Sequence, residues 1–223
     1  MFIFRKPPEM VTPEAALPGR SEPVLSQPAP HAVNGSDILS RPDGHEVIFL
    51  AAGCYWGVEE IYWEMDGVTT TAVGFMGGYT PNPTYEEVCT GLTGHTETVR
   101  VVYNPKQIST GEILKTFFEC HDPTSQNRQG NDIGTQYRSA IFTTADSQFA
   151  VANELKESYQ HVLSKHAKGE IATEIHSPGT AIFFPAEDSH QQYLKKNPDG
   201  YRCHSASGIA CPIPGAGPLH LDN

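Results

Sequence analysis

The stretch Gly53-Cys54-Tyr55-Trp56-Gly57 lies where a buried strand passes into a helix. The apolar run at residues 47–52 predicts the strand, and helical spacing of apolar residues predicts a helix from Cys54 to about Met65. Amide N–H groups and the dipole at a helix start favour a thiolate over a thiol. The sequence therefore predicts an activated, accessible sulfur on Cys54. The alternative is a buried cysteine that only packs.

The segments outside this junction predict one domain with an arm and a tail. Residues 1–45 predict an arm that lies across the domain surface or is partly disordered, residues 46–196 an α+β domain, and residues 197–223 a coiled tail. Mixed ordering favours a two-layer α/β sandwich with a mixed sheet and a ferredoxin-like core over a parallel doubly wound sheet. The predicted elements are strands at 68–75, 96–103, 139–143 and 173–175, and helices at 84–89, from Ser109 to before Pro123, from a Thr144 cap to Gly169, and at 187–196.

Composition and charge exclude several classes of function. The chain has 223 residues and a formal net charge of -11, which argues against nucleic acid and anionic membranes as partners. No apolar run approaches the length of a membrane span, and the N-terminus is a poor signal peptide. We expect a cytoplasmic protein.

The cysteines do not form a secreted disulfide framework, because five of them are spread over a mid-sized chain. No pair has the Cys-x-x-Cys spacing of a zinc ribbon or a thioredoxin-type motif. Cys203 and Cys211 form a spaced pair in a polar tail, where exposed thiols in a flexible segment suggest redox exchange more than packing.

Glu97 is a candidate acid. Strand alternation puts it on the apolar face with Val99 and Val101, where an unpaired carboxylate is costly and protonation relieves that cost. A carboxylic acid that stays neutral at the working pH can donate a proton. The alternative is an ion pair between Glu97 and Arg138 or another cation.

A long polar loop at residues 121–138 is also of a kind that usually carries function. Within it, Asp132 lies between closely spaced glycines that can aim its carboxylate, or else it forms a simple Asx-turn. Tyr85 and Tyr137 can place phenol O–H groups beside a ligand oxygen, although single tyrosines more often pack.

The histidines suggest two rival sites. His95, His121 and Cys120 are metal-ligand types, and His190 is a possible base for Cys54 in acyl transfer. Neither set has tight ligand spacing, so we predict no metal site.

Several long motifs resemble those of the peptide methionine sulfoxide reductases of A type. The likeness runs from about Val33 to Cys211, with the motifs in register. The motifs are Gly53-Cys54-Tyr55-Trp56-Gly57, Gly77-Gly78-Tyr79-Thr80-Pro81-Asn82-Pro83-Thr84-Tyr85, Gly94-His95-Thr96-Glu97, Gln129-Gly130-Asn131-Asp132-Ile133-Gly134-Thr135-Gln136-Tyr137-Arg138-Ser139, His190-Gln191-Gln192-Tyr193-Leu194 and Asn197-Pro198-Asp199-Gly200-Tyr201.

The resemblance implies reduction of methionine S-sulfoxide, free or in proteins, and hence repair of oxidative damage. It implies that the Cys54 thiolate attacks the sulfoxide sulfur while Glu97 protonates the departing oxygen. The residues it implies around them are Tyr85 and Tyr137 as hydrogen-bond donors to that oxygen, Asp132 as a holder of water or substrate, and Tyr55 and Trp56 as walls of the pocket for the substrate methyl group.

The resemblance also implies a recycling relay. Cys203 would attack the sulfenic acid formed on Cys54, Cys211 would exchange into that disulfide, and thioredoxin would reduce the Cys203–Cys211 product. The implied partners are thioredoxin, oxidised proteins and free methionine sulfoxide, with no metal or organic cofactor, and we expect a monomer. Cys89 and Cys120 match no redox role.

Two departures and two alternatives accompany the resemblance. The family commonly has Phe where Tyr55 stands, and its tail is richer in glycine than residues 203–211. A cysteine hydrolase or acyltransferase would need a histidine beside Cys54 and an oxyanion hole. A redox-sensing or methionine-binding module would use the same pocket without turnover.

Overall fold

The computed structural model describes residues 8–203 and 206–213. The ends of the predicted arm and tail, residues 1–7 and 214–223, lie outside these ranges. The strands are β1 (Glu46–Ala51), β2 (Val68–Met76), β3 (Thr96–Tyr103), β4 (Arg128–Gln129), β5 (Asp132–Ile133), β6 (Ala140–Phe142), β7 (Glu174–His176) and β8 (Phe184–Pro185). The helices are α1 (Tyr55–Trp63), α2 (Tyr85–Cys89), α3 (Thr110–Cys120), α4 (Asp146–Lys165) and α5 (Tyr193–Lys196).

The main sheet has the order β7-β6-β1-β3-β2-β8. Its four central strands pair antiparallel, and their order β6-β1-β3-β2, with α1 and α3 as crossovers, is that of a ferredoxin-like βαββαβ unit. β7 adds to β6 in parallel and makes the sheet mixed. The predicted α+β fold with a mixed sheet is confirmed.

Apolar side chains of α1, α3 and α4 form the main core against one face of the sheet. Two capping boxes start helices as predicted: Thr84 with Glu87 at α2, and Ser109 with Glu112 at α3. Beyond the cap, α3 buries Ile113, Leu114, Phe117 and Phe118, the side that helical spacing predicts.

The N-terminal arm covers the opposite face of the sheet. Ile38 packs on Ala72 of β2, and the guanidinium of Arg100 in β3 donates to the carbonyl oxygens of Ile38, Leu39 and Ser40 at 3.0, 3.1 and 2.9 Å. Every residue of β3 is therefore buried, including the polar side that alternation leaves outside the apolar core.

Several boundaries differ from prediction. Thr144 does not cap α4: its hydroxyl donates to the Val47 carbonyl at 2.6 Å, and the N-cap is Ala145. The helix ends at Lys165, before the predicted Gly169, because Ala167 has a left-handed φ of 54°.

The region before the tail is less helical than predicted. The expected helix at 187–196 is only the four-residue α5. The edge strand β8 is absent from the sequence prediction, because two residues are too few for alternation to detect. No helix in the two described ranges is long and apolar enough to cross a bilayer.

Candidate active site

Cys54 is the N-cap of α1 and lies three residues after Ala51, the last residue of β1. Gly53 before it has φ 96°, and a Cβ there would lie 2.7 Å from the Gln129 side chain, so only glycine fits this turn. The amide N–H of Trp56 donates to the Cys54 sulfur. An amide at the start of α1 therefore donates a hydrogen bond to the Cys54 sulfur, as the sequence predicts.

The predicted resting thiolate is wrong. Cys54 is only 7% exposed, and burial raises the pKa of its thiol well above its usual range, with the charges of Glu97 and Asp132 adding to the effect. One amide N–H does not offset the lost solvation. The resting form is therefore the thiol, and the predicted accessibility of its sulfur is also wrong.

Glu97 lies on β3 and is fully buried. Its Oε2 accepts a hydrogen bond from the Tyr55 amide at 3.0 Å. Burial raises the pKa of Glu97 from 4.5 to about 8, so its carboxyl is neutral at pH 7, as one of the two readings predicts. Arg138, the alternative partner, instead binds Glu174 at 3.4 Å and the Thr135 carbonyl at 3.1 Å.

Two phenols lie within electrostatic range of Glu97. Tyr85 is the first residue of α2, and Tyr137 ends a 3-10 turn after the β4–β5 hairpin. Burial raises the pKa of both phenols well above their usual range, and the charge of Glu97 adds to the rise in each. Both side chains are therefore O–H donors at every physiological pH.

A cluster of aromatic rings flanks this group. Trp56 stacks on Tyr193 with ring centroids 4.0 Å apart, and Tyr85 contacts His190 at 4.3 Å. Tyr55 is buried beside them, and its ring centroid lies 5.8 Å from that of Phe75. Its hydroxyl has no hydrogen-bond partner among the described residues. Among the described residues the Tyr55 hydroxyl is thus an unpaired polar group in an apolar wall.

The sequence did not predict a functional role for two residues that contact the site, Tyr193 and Glu187. Tyr193 stacks on Trp56, and the aromatic spacing from His190 to Tyr193 is the sequence signal that points to it. Glu187 accepts the Tyr85 amide N–H at 3.0 Å, a contact between residues 102 positions apart that no local pattern predicts.

His190 does not serve as a base for Cys54 in this arrangement. Its Nδ1 accepts from the Trp56 indole N–H at 3.3 Å, and burial lowers the pKa of the ring. The geometry therefore favours His190 as a support for the aromatic wall over the base that acyl transfer needs.

Asp132 lies on β5 beside Cys203. Its carboxylate accepts from the Tyr201 hydroxyl at 3.2 Å and from the Cys203 thiol, whose sulfur also lies 3.5 Å from the Gln129 carbonyl oxygen. Burial and Asp132 together raise the pKa of Cys203, and Cys203 is close enough to influence Cys54 electrostatically. The hairpin thus brings Cys203 to the edge of the candidate active site.

Cys211 is held elsewhere, so its predicted exposure is wrong. It is fully buried in the main core, and its amide donates to Glu119 Oε1 at 2.7 Å. The Tyr159 hydroxyl holds the same segment through the Ile209 carbonyl and Ser207 Oγ, both at 2.8 Å. Burial raises the pKa of the Cys211 thiol to about 12. All five cysteines are free thiols.

Removing the Tyr159 hydroxyl is expected to loosen this segment. Tyr159→Phe keeps the buried ring but loses bonds to Ser207 and Ile209, and about 1 kcal/mol of lost stabilisation should speed local opening about fivefold. The rate of Cys211 alkylation, followed by mass spectrometry of the native protein, measures that opening. Tyr62→Phe, which removes a buried hydroxyl bonded to Ile113, is the control. Equal Cys211 rates in Tyr159→Phe and wild type would contradict the prediction.

The proposed metal-ligand types do not assemble into a site. His95 Nε2 bonds the Thr80 carbonyl at 2.7 Å, and His121 Nε2 bonds Ser139 Oγ at 2.7 Å. In the part of the chain that the structure describes, no three His, Cys, Asp or Glu side chains are placed to hold a metal ion.

The chain is similar to proteins of known class along most of its length. A family model described as peptide methionine sulfoxide reductase matches residues 46–210. The peptide methionine sulfoxide reductase MsrA of Corynebacterium efficiens is 50% identical over 95% of this chain and 98% of its own. The mitochondrial peptide methionine sulfoxide reductase of Bos taurus is 51% identical over 92% of this chain and 87% of its own.

The fold gives the same result. The solved structure of methionine sulfoxide reductase A of Corynebacterium diphtheriae has a TM-score of 0.83 to this chain and 48% sequence identity, covering 93% of this chain and 100% of that one. Reduced Mxr1 of Saccharomyces cerevisiae has a TM-score of 0.67 and 38% identity, covering 74% of this chain and 93% of that one. The resemblance read from the motifs is thereby confirmed, and this chain belongs to the peptide methionine sulfoxide reductase family.

Proposed function

We propose that this protein is an oxidoreductase that reduces methionine S-sulfoxide, free or within proteins, to methionine. The observation that carries the proposal is the pairing of a buried, neutral Glu97 carboxyl with the Cys54 sulfur at the start of one helix. A thiol supplies the two electrons, and a neutral acid turns the sulfoxide oxygen into a workable leaving group. Acyl transfer would instead need a base beside Cys54, and His190 is engaged with the Trp56 indole.

The first half-reaction conserves atoms and protons within the site. The Cys54 sulfur attacks the sulfoxide sulfur while Glu97 protonates the sulfoxide oxygen, and the proton of the Cys54 thiol replaces the one that Glu97 gives. The sulfur–oxygen bond of the substrate then breaks, and its oxygen is transferred as hydroxyl to the Cys54 sulfur. This transfer breaks the new sulfur–sulfur bond, whose electron pair stays on the methionine sulfur. The products are methionine and a Cys54 sulfenic acid, the first reversible rung of cysteine oxidation.

The surrounding residues support this step in two ways. Tyr85 and Tyr137 remain phenols and donate hydrogen bonds to the oxygen as its charge develops, which is the kind of stabilisation that lowers a barrier most. Tyr55 and Trp56 wall the pocket for the substrate methyl group, where sulfur and methyl contacts with aromatic rings are favourable.

Recycling follows through thiols. Cys203 attacks the sulfenic sulfur, water leaves, and a Cys54–Cys203 disulfide forms, with Asp132 placed to take the Cys203 proton. The Cys211 thiol then attacks Cys203, which restores the Cys54 thiol and leaves a Cys203–Cys211 disulfide for thioredoxin. This exchange requires the Cys211 segment to leave its contacts with Glu119 and Tyr159.

One assay separates the candidate functions. The full chain is mixed with a methionine sulfoxide peptide and dithiothreitol, and methionine is counted per enzyme molecule. A reductase turns over many times, a sensor gives at most one equivalent, and a cysteine hydrolase gives none. Failure to exceed one equivalent would overturn the proposal.

Cys211→Ala is expected to separate chemistry from recycling. The dithiothreitol-driven rate should stay near that of the wild type, because a small thiol can reduce the Cys54–Cys203 disulfide directly. The thioredoxin-driven rate should fall at least about tenfold if Cys211 passes the electrons on. Cys120→Ser, a change at a thiol outside the relay, is the matched control. Full thioredoxin-driven activity in Cys211→Ala would indicate a shorter relay through Cys203 alone.

A further inference from the structure

A segment of the N-terminal arm, residues 17–21, runs along the loop that leads into α2. Its backbone bonds that loop from both sides: the Thr80 hydroxyl donates to the Leu17 carbonyl at 2.9 Å, and the Arg20 amide donates to the Pro81 carbonyl at 3.1 Å. The Asn82 side chain returns a bond to the Arg20 carbonyl at 2.9 Å. The arm segment is therefore a bonded neighbour of the loop.

The arm segment and the loop approach each other so closely that Gly19 has no room for a side chain. Gly19 has φ 66°, and a Cβ at this position would lie 2.3 Å from the Pro81 carbonyl oxygen. On the facing side, Asn82 also takes a left-handed φ of 47°. Both conformations indicate that the two backbones are fitted to each other.

Arg20 extends this contact to α2 itself. Its two guanidinium Nη atoms donate to Glu87 Oε2 and Oε1 at 2.9 and 2.8 Å, and Nη1 also donates to the Asn82 carbonyl at 2.6 Å. This bidentate interaction fixes the orientation of the Glu87 carboxylate relative to Arg20 as well as the distance between them. The same Glu87 carboxylate closes the capping box by accepting the Thr84 amide at 2.9 Å.

The helix that Arg20 holds has little stability of its own. α2 has five residues, and helices this short are not stable in isolation. Val88 anchors the helix in the main core, and its first turn is held by Arg20 with Glu87 on one side and by the bond from the Tyr85 amide to Glu187 on the other. Tyr85 is the first residue of this helix, so the direction of its phenol depends on both.

We propose that the N-terminal arm takes part in catalysis, with Arg20 as a positioning residue that holds Tyr85 against the sulfoxide oxygen. The arm lies outside residues 46–210, the part matched by the family model. The inference rests on the proposed role of Tyr85 as a donor to that oxygen. Arg20 touches no substrate and acts only through Glu87 and the first turn of α2.

The test is a double-mutant cycle in the full-length protein with dithiothreitol as reductant. Tyr85→Phe should lower kcat by about 10- to 100-fold, because a donor to developing charge is lost. Arg20→Ala should lower kcat by about three- to tenfold with KM changed less than about twofold, since the misplaced phenol matters most in the transition state. In the Tyr85→Phe background, Arg20→Ala should change kcat by less than about twofold.

Two further variants keep the test decisive. Arg41→Ala removes an exposed arginine of the same arm and should leave kcat unchanged. Arg20→Lys keeps the charge without the bidentate interaction, and its kcat should lie between those of wild type and Arg20→Ala. If Arg20→Ala does not fold, Arg20→Lys replaces it in the cycle.

The outcomes distinguish a failure of the Arg20 role from a failure of the proposed Tyr85 role. An unchanged kcat in Arg20→Ala, or an equal loss with and without Tyr85, would overturn the positioning role of Arg20. Wild-type activity in Tyr85→Phe would instead overturn the proposed role of Tyr85. Amide hydrogen exchange gives an independent readout: Arg20→Ala should speed exchange at Glu87 and Val88, whose amides bond Thr84.

Discussion

Cys54→Ser is expected to reduce methionine sulfoxide no faster than the uncatalysed reaction. Serine fits the same N-cap and can accept the Trp56 amide, so the fold should survive. Its oxygen cannot supply the two electrons that sulfoxide reduction requires or form a sulfenic acid. The loss should therefore appear in the chemical step and not in stability.

Methionine release in the presence of excess dithiothreitol measures this loss, and a thermal melt checks the fold. Cys120→Ser is a suitable control because it also replaces a largely buried thiol. Turnover above a few per cent of wild type in a correctly folded Cys54→Ser variant would remove Cys54 as the nucleophile.

Glu97→Gln is expected to lower kcat by ~10² to 10⁴-fold, the usual contribution of a general acid. The amide keeps the shape of the side chain but cannot protonate the oxygen. In the wild type the acid form is lost as the pH rises through the Glu97 pKa of about 8, so the rate should fall above that pH. The variant should show no fall there. A wild-type rate in Glu97→Gln would mean that the acid lies elsewhere.

The same substitution should change how stability depends on pH. Because burial raises the pKa of Glu97 from 4.5 to about 8, its neutral form is favoured in the folded state. The stability that this gives is complete below 4.5 and is lost as the pH rises through about 8. Between pH 5 and pH 9 the free energy of unfolding of the wild type should therefore fall relative to that of Glu97→Gln. Denaturant titrations at both values test this, and parallel curves would contradict it.

Local patterns predicted much of the fold. The capping boxes at Thr84 and Ser109 need only residues three positions apart, and the burial of Glu97 follows from the alternation of one strand. The order of strands and helices was enough for the ferredoxin-like core. Each of these rests on neighbours in sequence.

Features that depend on distant contacts were missed or misjudged. The ionisation of Cys54 depends on what covers the helix start. The amide bonds considered alone predict a lowered pKa for its thiol, whereas burial raises that pKa. The burial of Cys211 depends on Glu119 and Tyr159, 92 and about 50 positions away. Arg20 and Glu87 are 67 positions apart, and no pattern in the arm marks that arginine.

Two consecutive peptide groups at the start of α1 contact the proposed acid and nucleophile: the Tyr55 amide binds Glu97, and the Trp56 amide binds the Cys54 sulfur. The proposed acid and the proposed nucleophile are therefore bonded to neighbouring amides of one turn, an arrangement that favours a constant spacing between them. Selection for new substrates can then change the aromatic rings and the loops around them while the proposed reaction centre stays constant. We expect that changes in substrate preference and changes in intrinsic rate fall on separate sets of residues.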